Sequence, residues 1–454
     1  MPVNTPHRDY KSHEAKAQRV RDAVGGTDAI KARGDAYLRN PDPEDQKRFE
    51  EYKSGAQWLG VTKRTHDFMQ GAMFRKDPEV SLPRELEYML HDADGSGQSL
   101  AQFSRECTSG AIINGRVGIL ADYPPVGEGL TLEQAQALRA TLSVYPSQSI
   151  INWRKDNNRL VLVVLAEKYS KAIDEFTFEE LDQFRVLSLD ETGHYVQRVF
   201  RENEVVMHLE PKQASGARWP FIPFQFIGVV NNDEIPDNPL LLDLADVNIG
   251  HYRNSADVEE SAFIIGQPMF HVDTGDTSTD DWIALNPDGV TVGSRRGIQT
   301  QKGKVEVVQA EERNLSFRLM EHKESQMIAI GARLIEQGGS NETAEGVRAR
   351  AGSDSANLST VACNCSDAIE NCLEWAALYM TKRDVFDEIL FKINQEFYER
   401  GVDPNEIMAR IAEVDRGLLP KSDYWAWRRK TGGIAPDRTD DDLRAEAEEG
   451  GLYL

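Results

Sequence analysis

The chain has 454 residues, 40% of them hydrophobic, enough for several compact modules or one long multi-lobed chain with sizeable cores. Acidic side chains outnumber basic ones 75 to 52, a net charge of −23, and a field of that sign argues against tight non-specific binding to nucleic acid, itself a polyanion. Four cysteines, Cys107, Cys363, Cys365 and Cys372, are too few for a disulfide framework in a chain this long and predict a reducing compartment.

The N-terminal run MPVNTPHRDYKSHEAKAQRVRD is polar and charged and predicts no signal peptide. The longest apolar run, LVLVVLA from Leu160 to Ala166, is far short of a membrane span. Residues 1–45 hold little apolar material and read as a peripheral arm with some helix. From Gln46 the pattern turns globular. In KRTHDFMQGAMFRKDP, Phe68, Met69, Ala72 and Met73 fall at helical spacing and Pro78 ends the run. In PRELEYMLHDADG, Leu82, Leu86, Met89 and Leu90 predict a second amphipathic helix; Leu100, Phe103 and Cys107 predict a third, followed by the strand GRVGILADY, which stops at Pro124-Pro125.

Between the second and third of these helices lies HDADGSG, residues 91–97, which imitates the start of a calcium loop. With Asp92 at position 1, Asp94 fills 3, Ser96 fits 5 and Gly97 fits the turn at 6. Positions 9 and 12 are then Leu100 and Phe103, which cannot chelate. Half the oxygen cage is missing, so the run reads as a Gly-rich turn.

Residues 143–230 read as an antiparallel β module. SIINWRKDNNRLVLVVLAEKY is a hairpin turning at Asp156-Asn157-Asn158, FRVLSLDETGHYVQRVFRENEVV a second turning at Glu191-Thr192-Gly193, and WPFIPFQFIGV a further strand. The period then returns to helix from Asn238, a plausible N-cap with Pro239 in the first turn, to Gly266. Residues 268–312 are short strands and turns. Residues 313–336 form a helix with Leu315, Leu319, Met327, Ile330 and Leu334 near one stripe. The loop QGGSNETAEG follows, then a long helix over about 346–381 with Leu358, Val361, Cys365, Ile369, Cys372, Ala376 and Tyr379 at close to 3.5 spacing. Two shorter helices are expected in 384–419, and the acidic PDRTDDDLRAEAEEGG reads as disordered or loosely attached.

No catalytic constellation stands out. Gly297 and Gly303-Lys304 imitate a P-loop with five residues between the glycines instead of four, and Val305 follows the lysine. Cys363 and Cys365 are two apart and point to different helix faces, whereas Cys365 and Cys372 lie on the apolar stripe and read as core. No HExxH-type histidine pairing occurs, and no metal site or cofactor is expected. Basic residues are more informative. Arg295, Arg296, Lys302 and Lys304 lie between the two helices of the 236–336 region, and Arg348 and Arg350 follow the Gly loop. Each reads either as a solvated face or as a contact with a partner or with phosphates.

Three pieces carry a family resemblance: GRVGILADYPP; NPLLLDLADVNIGHYRNSADVEESAFIIGQPMF; and GARLIEQGGSNETAEGVRARAGSDSANLSTVACNCSDAIENCLEWAALYM. With the early GAQWLGVTKRTHDFMQGAMFRKDP, this arrangement resembles the portal proteins of tailed bacteriophages over roughly residues 50–400. The resemblance implies an α+β, portal-like fold with a wing, long stem helices, a small α/β or β clip, a tunnel loop and a short helical crown. Mapped onto this chain it gives an N-terminal arm (1–45), a wing (46–235) containing the β module, stem helix 1 (236–267), a clip (268–312), stem helix 2 (313–336), a tunnel loop (337–346), a long wing helix (347–383), a crown (384–430) and an acidic tail (431–454).

The resemblance also implies a non-enzymatic role in the virion. Portal proteins form a homo-oligomeric ring, typically a dodecamer, at one capsid vertex. The ring channels double-stranded DNA during packaging and ejection and contacts the major capsid protein, the terminase large subunit and head–tail adaptor proteins. Gly338, Gly339, Ser340, Asn341, Glu342 and Thr343 would form the channel loop, Arg348 and Arg350 would meet DNA phosphates, and Arg295, Arg296, Lys302 and Lys304 would meet clip partners. ATP hydrolysis belongs to the motor, which fits the missing P-loop. A ring multiplies the −23 of each chain, so DNA would be repelled by the wall and slide. Two readings compete: another structural head protein, such as a minor capsid or adaptor protein, and a metal-dependent enzyme using Asp92, Asp94 and Asp122. If the two adjacent glycines let the loop shift as DNA passes, a Gly338→Pro chain assembles normally but packages DNA poorly, and normal packaging in that variant refutes the mobile-loop role.

Overall fold

A computed structural model of the chain describes residues 2–124, 138–266, 269–285, 302–308, 315–330, 344–395, 397, 404–430, 432–435 and 438–449. It divides into two units, Met1–Asn394 and Gln395–Leu454, and both helix and sheet are well represented.

In the first unit the expected peripheral arm is a structural part of the core. Helix α1 (Tyr10–Gly25) buries His13, Ala17, Val20 and Ala23, a narrow stripe at helical spacing made mostly of small residues. After α2 (Thr27–Ala32), Ile30, Tyr37 and Leu38 join Phe49 of α3 (Gln46–Gly55) in one buried cluster. Asp22 organises the corner, accepting from Tyr37 Oη at 2.6 Å and Arg33 Nε at 2.7 Å. The stripe is easy to miss in sequence because alanines supply so much of it.

Helix α4 (Val61–Met73) follows as expected, burying Met69, Ala72 and Met73, and leads into the short strand β1 (Glu79–Ser81). The second predicted amphipathic helix is instead a 3-10 helix, Arg84–Leu90. Leu86 and Met89 are its buried residues, with Pro83 buried just before it, and the spacing of three matches the tighter turn, while Leu90 is exposed. HDADGSG is a turn. Asp92 Oδ1 accepts the N–H groups of Gly95 (2.8 Å) and Gly97 (2.9 Å), Asp94 Oδ1 accepts that of Ser96 (2.9 Å), and Gly95 and Gly97 take φ of 83° and 94°. Its carboxylates are thus turned onto their own backbone. Asp122 sits elsewhere, in the buried sheet junction described below.

Helix α5 (Leu100–Asn114) starts at a capping box formed by Ser99 and Gln102 and ends at Gly115, in the left-handed region at φ 74°. A Cβ at Gly115 would run into the carbonyl of Asp237 and the nitrogen of Pro239. Next come β2 (Arg116–Asp122), β3 (Thr141–Pro146), β4 (Ile150–Asp156), β5 (Arg159–Ala172), β6 (Phe178–Leu189), β7 (Tyr195–Arg201), β8 (Glu204–Leu209) and β9 (Phe224–Gly228). They form two antiparallel sheets, ordered β3-β2-β9 and β4-β5-β6-β7-β8, where the sequence suggested one module. β2 is buried along nearly its whole length, so it serves as the centre of its sheet. The turn at Asn157-Asn158 has φ of 47° and 64°, the primed geometry that matches strand twist. Glu167 on β5 joins the two sheets, accepting from Tyr145 Oη of β3 (2.7 Å), Gln183 Nε2 (2.7 Å) and Arg185 Nε (2.6 Å) of β6. Arg185 also faces Asp122 of β2 at 3.7 Å, and burial raises the Asp122 pKa.

Helix α6 (Leu242–Ile265) begins four residues after Asn238. Asn238 is therefore not its N-cap; the Asn238 side chain accepts from Lys16 Nζ at 3.0 Å, and Pro239 O receives the Leu242 N–H in the preceding turn. Strand β10 (Met269–Val272), the short helix α7 (Thr279–Leu285), strand β11 (Val305–Val308), α8 (Leu315–Ile330), α9 (Ala344–Met380) and β12 (Leu390–Lys392) complete the unit. The predicted stripe of α9 is confirmed: Leu358, Val361, Cys365, Ile369, Cys372 and Ala376 are fully buried, and the helix packs on β2, β9 and α5. β12 pairs antiparallel with β1 and buries Phe391. Residues 384–394 belong to this unit.

The second unit contains α10 (Pro404–Asp415), α11 (Lys421–Lys430) and α12 (Asp440–Glu449). The acidic tail, expected loose, carries α12. Arg429 ties its start to α11 through Asp440 (2.5 Å) and the Arg438 carbonyl (3.1 Å), and the acids Asp440, Asp441 and Asp442 suit a helix N-terminus.

His13 gives the α1 contact a pH dependence. Its Nε2 lies 3.1 Å from the Asp237 carbonyl, which only accepts, so Nε2 carries the proton and Nδ1 accepts from Ser147 Oγ at 3.1 Å. Burial first, and Arg116 second, lower its pKa to about 4. Folding depresses this pKa, so the stabilisation is complete above the ordinary value of 6.5 and is lost as pH falls toward 4, up to about 3 kcal/mol. We predict that the difference in melting temperature between wild type and His13→Gln shrinks as pH falls through this window. Gly115→Ala should cost more than about 2 kcal/mol, against about 1 for Gly97→Ala, which has the same strained backbone sign but open space. Equal melting temperatures for the two variants would show that the Asp237–Pro239 contact does not matter.

Candidate functional site

The part of the first unit that its own core does not consume is the helix pair α6 and α8 with the ribbon joined to it. The N-terminal half of α6 is buried from Leu244 to Ala256, with Ile249, Tyr252 and Ala256 in the cluster formed by α2, α3 and their connections. Tyr52 Oη donates to Asp257 (2.7 Å), Gln57 Nε2 to Glu259 (2.8 Å) and Arg48 to Glu260 (3.2 Å), so polar bonds hold the helix for one more turn. Beyond Glu260 the helix is exposed on nearly every side.

α8 packs along α6. Lys323 Nζ donates to the Gly250 carbonyl (2.8 Å) and to the Asn254 side chain, and His251 Nε2 meets Glu324 at 3.1 Å. Burial lowers the Lys323 pKa; its ammonium works here as a donor to helix carbonyl and amide oxygens. Of the stripe predicted for α8, Met327 is buried, but Leu315, Leu319 and Ile330 are exposed, and Leu334 lies outside the described residues. Phe263, Ile264, Phe317 and Ile328 are also exposed, each by at least half. The sequence reading did not single these out. The available signal was that AFII and LSFRLM are apolar on more than one helix face, which in a helix calls for neighbours all round.

At the far end of the pair, β10 and β11 form a two-stranded antiparallel ribbon, Met269 opposite Val308 and Val272 opposite Val305. α7 is a helix where the sequence pattern alone read short strands and turns. Lys302, held at φ 59°, reaches Asp276 at 2.7 Å, and the Lys304 carbonyl accepts from Asp273 N at 2.8 Å. Both lysine side chains are exposed. Arg295 and Arg296 lie outside the described residues, as do Gly338, Gly339, Ser340, Asn341, Glu342 and Thr343. Arg348 and Arg350 fall in the first turns of α9, their side chains outside the described set. The structure therefore does not bring the predicted channel and clip residues together or apart.

Three of the four cysteines are core residues, and Cys363 is half-buried. Cys107, Cys365 and Cys372 are fully buried and burial pushes their thiols well up, so they are held protonated and unreactive. Among the described residues no group of three or more His, Cys, Asp or Glu side chains could hold a metal ion. Among them, too, no helix is long and apolar enough to cross a membrane.

A protein-family model described as a domain of unknown function, DUF4055, matches residues 239–380, the stretch from the turn before α6 to the end of α9. No curated protein matches the chain. Among solved structures it is similar to a chain described as the neck of an empty GTA particle computed with C6 symmetry, at 13% identity and a TM-score of 0.43, covering 87% of this chain and 96% of that one. Similar values hold for a chain of the virion of a native gene transfer agent (GTA) particle: 13% identity, a TM-score of 0.43, and coverage of 90% and 99%. The neck of a native GTA particle computed with C12 symmetry gives 13%, 0.38, and coverage of 83% and 92%.

Proposed function

We propose that this chain is a structural subunit of a phage-like particle and, more specifically, a portal protein: a ring at the capsid vertex through which double-stranded DNA enters and leaves. One observation carries the reading. A projecting helix pair exposes large apolar side chains along both helices, and a soluble chain leaves such a surface open only where something covers it. Side-by-side copies cover it without a second protein. The sequence pieces that resemble portal proteins include α6, the first helix of this pair, and the long helix that follows the pair.

In this reading α6 and α8 are the stem, residues 268–312 the clip, 337–346 the tunnel loop, and the body containing the two sheets and α9 the wing. The second unit would be a short crown. Gly338 to Thr343 would line the channel, Arg348 and Arg350 would touch phosphates in passing, and Arg295, Arg296, Lys302 and Lys304 would meet the motor or the adaptor. The chain itself performs no catalysis. Its partners would be further copies of itself in a dodecamer, the major capsid protein, the terminase large subunit, head–tail adaptors and the DNA. It would be assembled in the host cytoplasm and reside in the virion.

Native mass spectrometry with particle images tests this. The expected result is a closed ring near twelve subunits with a central hole. Phe263→Asp combined with Phe317→Asp should abolish the ring while leaving the circular dichroism of the chain unchanged, because both residues are exposed in the single chain. A ring that survives the double substitution, or a wild type with no ring even in assembled particles, overturns the reading.

A further inference from the structure

The β5–β6 hairpin is much longer than the sheet that holds it. β4 pairs with β5 only as far as Leu165, and β7 pairs with β6 only from Gln183 onward. β5 and β6 nevertheless stay paired out to Ala172 opposite Phe178. The last five residues of β5, Lys168 to Ala172 opposite Asp182 to Phe178, therefore form a bare two-stranded ribbon, about 15 Å long at the usual rise. Residues 170–180 are exposed without interruption. A ribbon of two strands is marginal by itself, yet this one is well built. Lys168 pairs with Asp182 across it, and the Arg201 guanidinium lies over the Tyr169 ring at 3.9 Å near its base.

The tip closes on its own hydrogen bonds. Ile173 N–H donates to the Thr177 carbonyl at 2.9 Å, and Asp174 Oδ1 accepts the N–H groups of Phe176 (2.8 Å) and Thr177 (2.7 Å). Those two backbone bonds lower the Asp174 pKa, so the turn is held by a charged acceptor at neutral pH. What this turn presents is apolar: Phe176 is 85% exposed, Ile173 63% and Phe178 61%. A hydrogen-bonded turn that fixes the backbone beneath an exposed aromatic side chain pre-organises an anchor, since little backbone freedom remains to be lost on docking. Around it stand Asp174, Glu175, Glu179 and Glu180 against one cation, Lys171 opposite Glu179, all exposed.

We propose that this hairpin is a docking element that inserts Phe176, with Ile173 and Phe178, into an apolar pocket rimmed by Lys or Arg on a different protein. Charge complementarity selects the occupant. The acidic collar repels nucleic acid and anionic lipid, and it repels a second copy of a chain that carries −23. A basic protein surface satisfies both the collar and the anchor. This proposal does not depend on the ring reading, because the hairpin lies apart in sequence from the helix pair that carries that reading.

The test uses the full chain and a fluorescent peptide alternating Lys and Leu, with Lys/Ser and Glu/Leu peptides as controls, by anisotropy at physiological salt. The wild type should bind the Lys/Leu peptide at least about tenfold better than either control. Phe176→Ser should weaken that binding about tenfold or more, and Glu179→Lys with Glu180→Lys should weaken it comparably and reduce its salt dependence. Phe176 is so exposed that its replacement should leave the melting temperature unchanged. Unaltered binding by Phe176→Ser, or equal binding of the Lys/Leu and Lys/Ser peptides, overturns the proposal. A change in oligomer mass caused by Phe176→Ser makes a second copy the occupant and also overturns it, as does Phe176-dependent binding to phosphatidylcholine vesicles.

Discussion

The first unit depends on one contact surface, the apolar stripe of α9 laid across β2 and β9 and against α5. Nine fully buried apolar residues from Leu358 to Ala376 supply it, and β2, β9, β12 and α5 pack against it. β2 is buried on both faces: Val117 lies against Gly110 of α5, while Arg116 and Asp122, in alternate register, meet Trp153 and Arg185 of the five-stranded sheet. β9 is fixed by its hydrogen bonds to β2 and by Asn364, whose side chain donates to the Gly228 carbonyl at 3.0 Å while its own carbonyl accepts from Asn232. β12 returns to the same helix, where Ser366 Oγ accepts the Ile393 N–H at 3.0 Å.

Polar groups connect what this contact leaves apart. Glu167 joins one sheet to the other, and Arg116 does so without a carboxylate. Arg116 is almost fully buried, donating to the Glu234 carbonyl at 3.1 Å, and its guanidinium lies over the Trp153 ring at 3.9 Å and the Phe226 ring at 5.4 Å. The two aromatic faces, one from each sheet, supply the negative potential that an acid would otherwise give. Burial lowers its pKa to about 9, so the charge survives at neutral pH. That charge in turn helps keep His13 neutral, which links the seating of α1 to the junction of the sheets.

Where the sequence could be read, one physical signal dominated locally. The α9 stripe, the β2 run and the Asn157-Asn158 hairpin each have a strong period or a dedicated turn chemistry. Where the reading failed, the signal was divided. α1 buries alanines and a histidine, which look polar or neutral in a count of apolar residues. Arg84–Leu90 has a period of three, which a helical wheel of 3.6 absorbs as amphipathic. Asn238 has the right neighbour for a cap, but its side chain is taken by Lys16. β12 is three residues long and exists only because β1 is there to pair with it. The candidate site was half legible: the two helices could be placed from periodicity, but the burial of Met327 and exposure of Leu315 and Phe317 follow from tertiary contacts that no local pattern encodes.

Charge and apolar surface oppose each other in this molecule, and distance decides between them. At physiological salt the Debye length is about 8 Å, so a net charge of −23 spread over a chain of this size acts weakly between the distant parts of two copies and strongly only where their surfaces touch. Fully covering one large aliphatic or aromatic side chain is worth about 1.5–3 kcal/mol. Six or seven of them on α6 and α8 thus outweigh the screened repulsion, provided that the acids nearest the contact are already engaged. Several are: Asp257, Glu259, Glu260 and Glu324 each accept a hydrogen bond or ion pair from within the same chain. On the helix pair several carboxylates are engaged by groups of the same chain beside the exposed apolar side chains, whereas the β5–β6 hairpin surrounds its apolar tip with exposed glutamates. The same acidic chain therefore carries two apolar surfaces of opposite electrostatic character, one suited to a copy of itself and the other to a basic stranger.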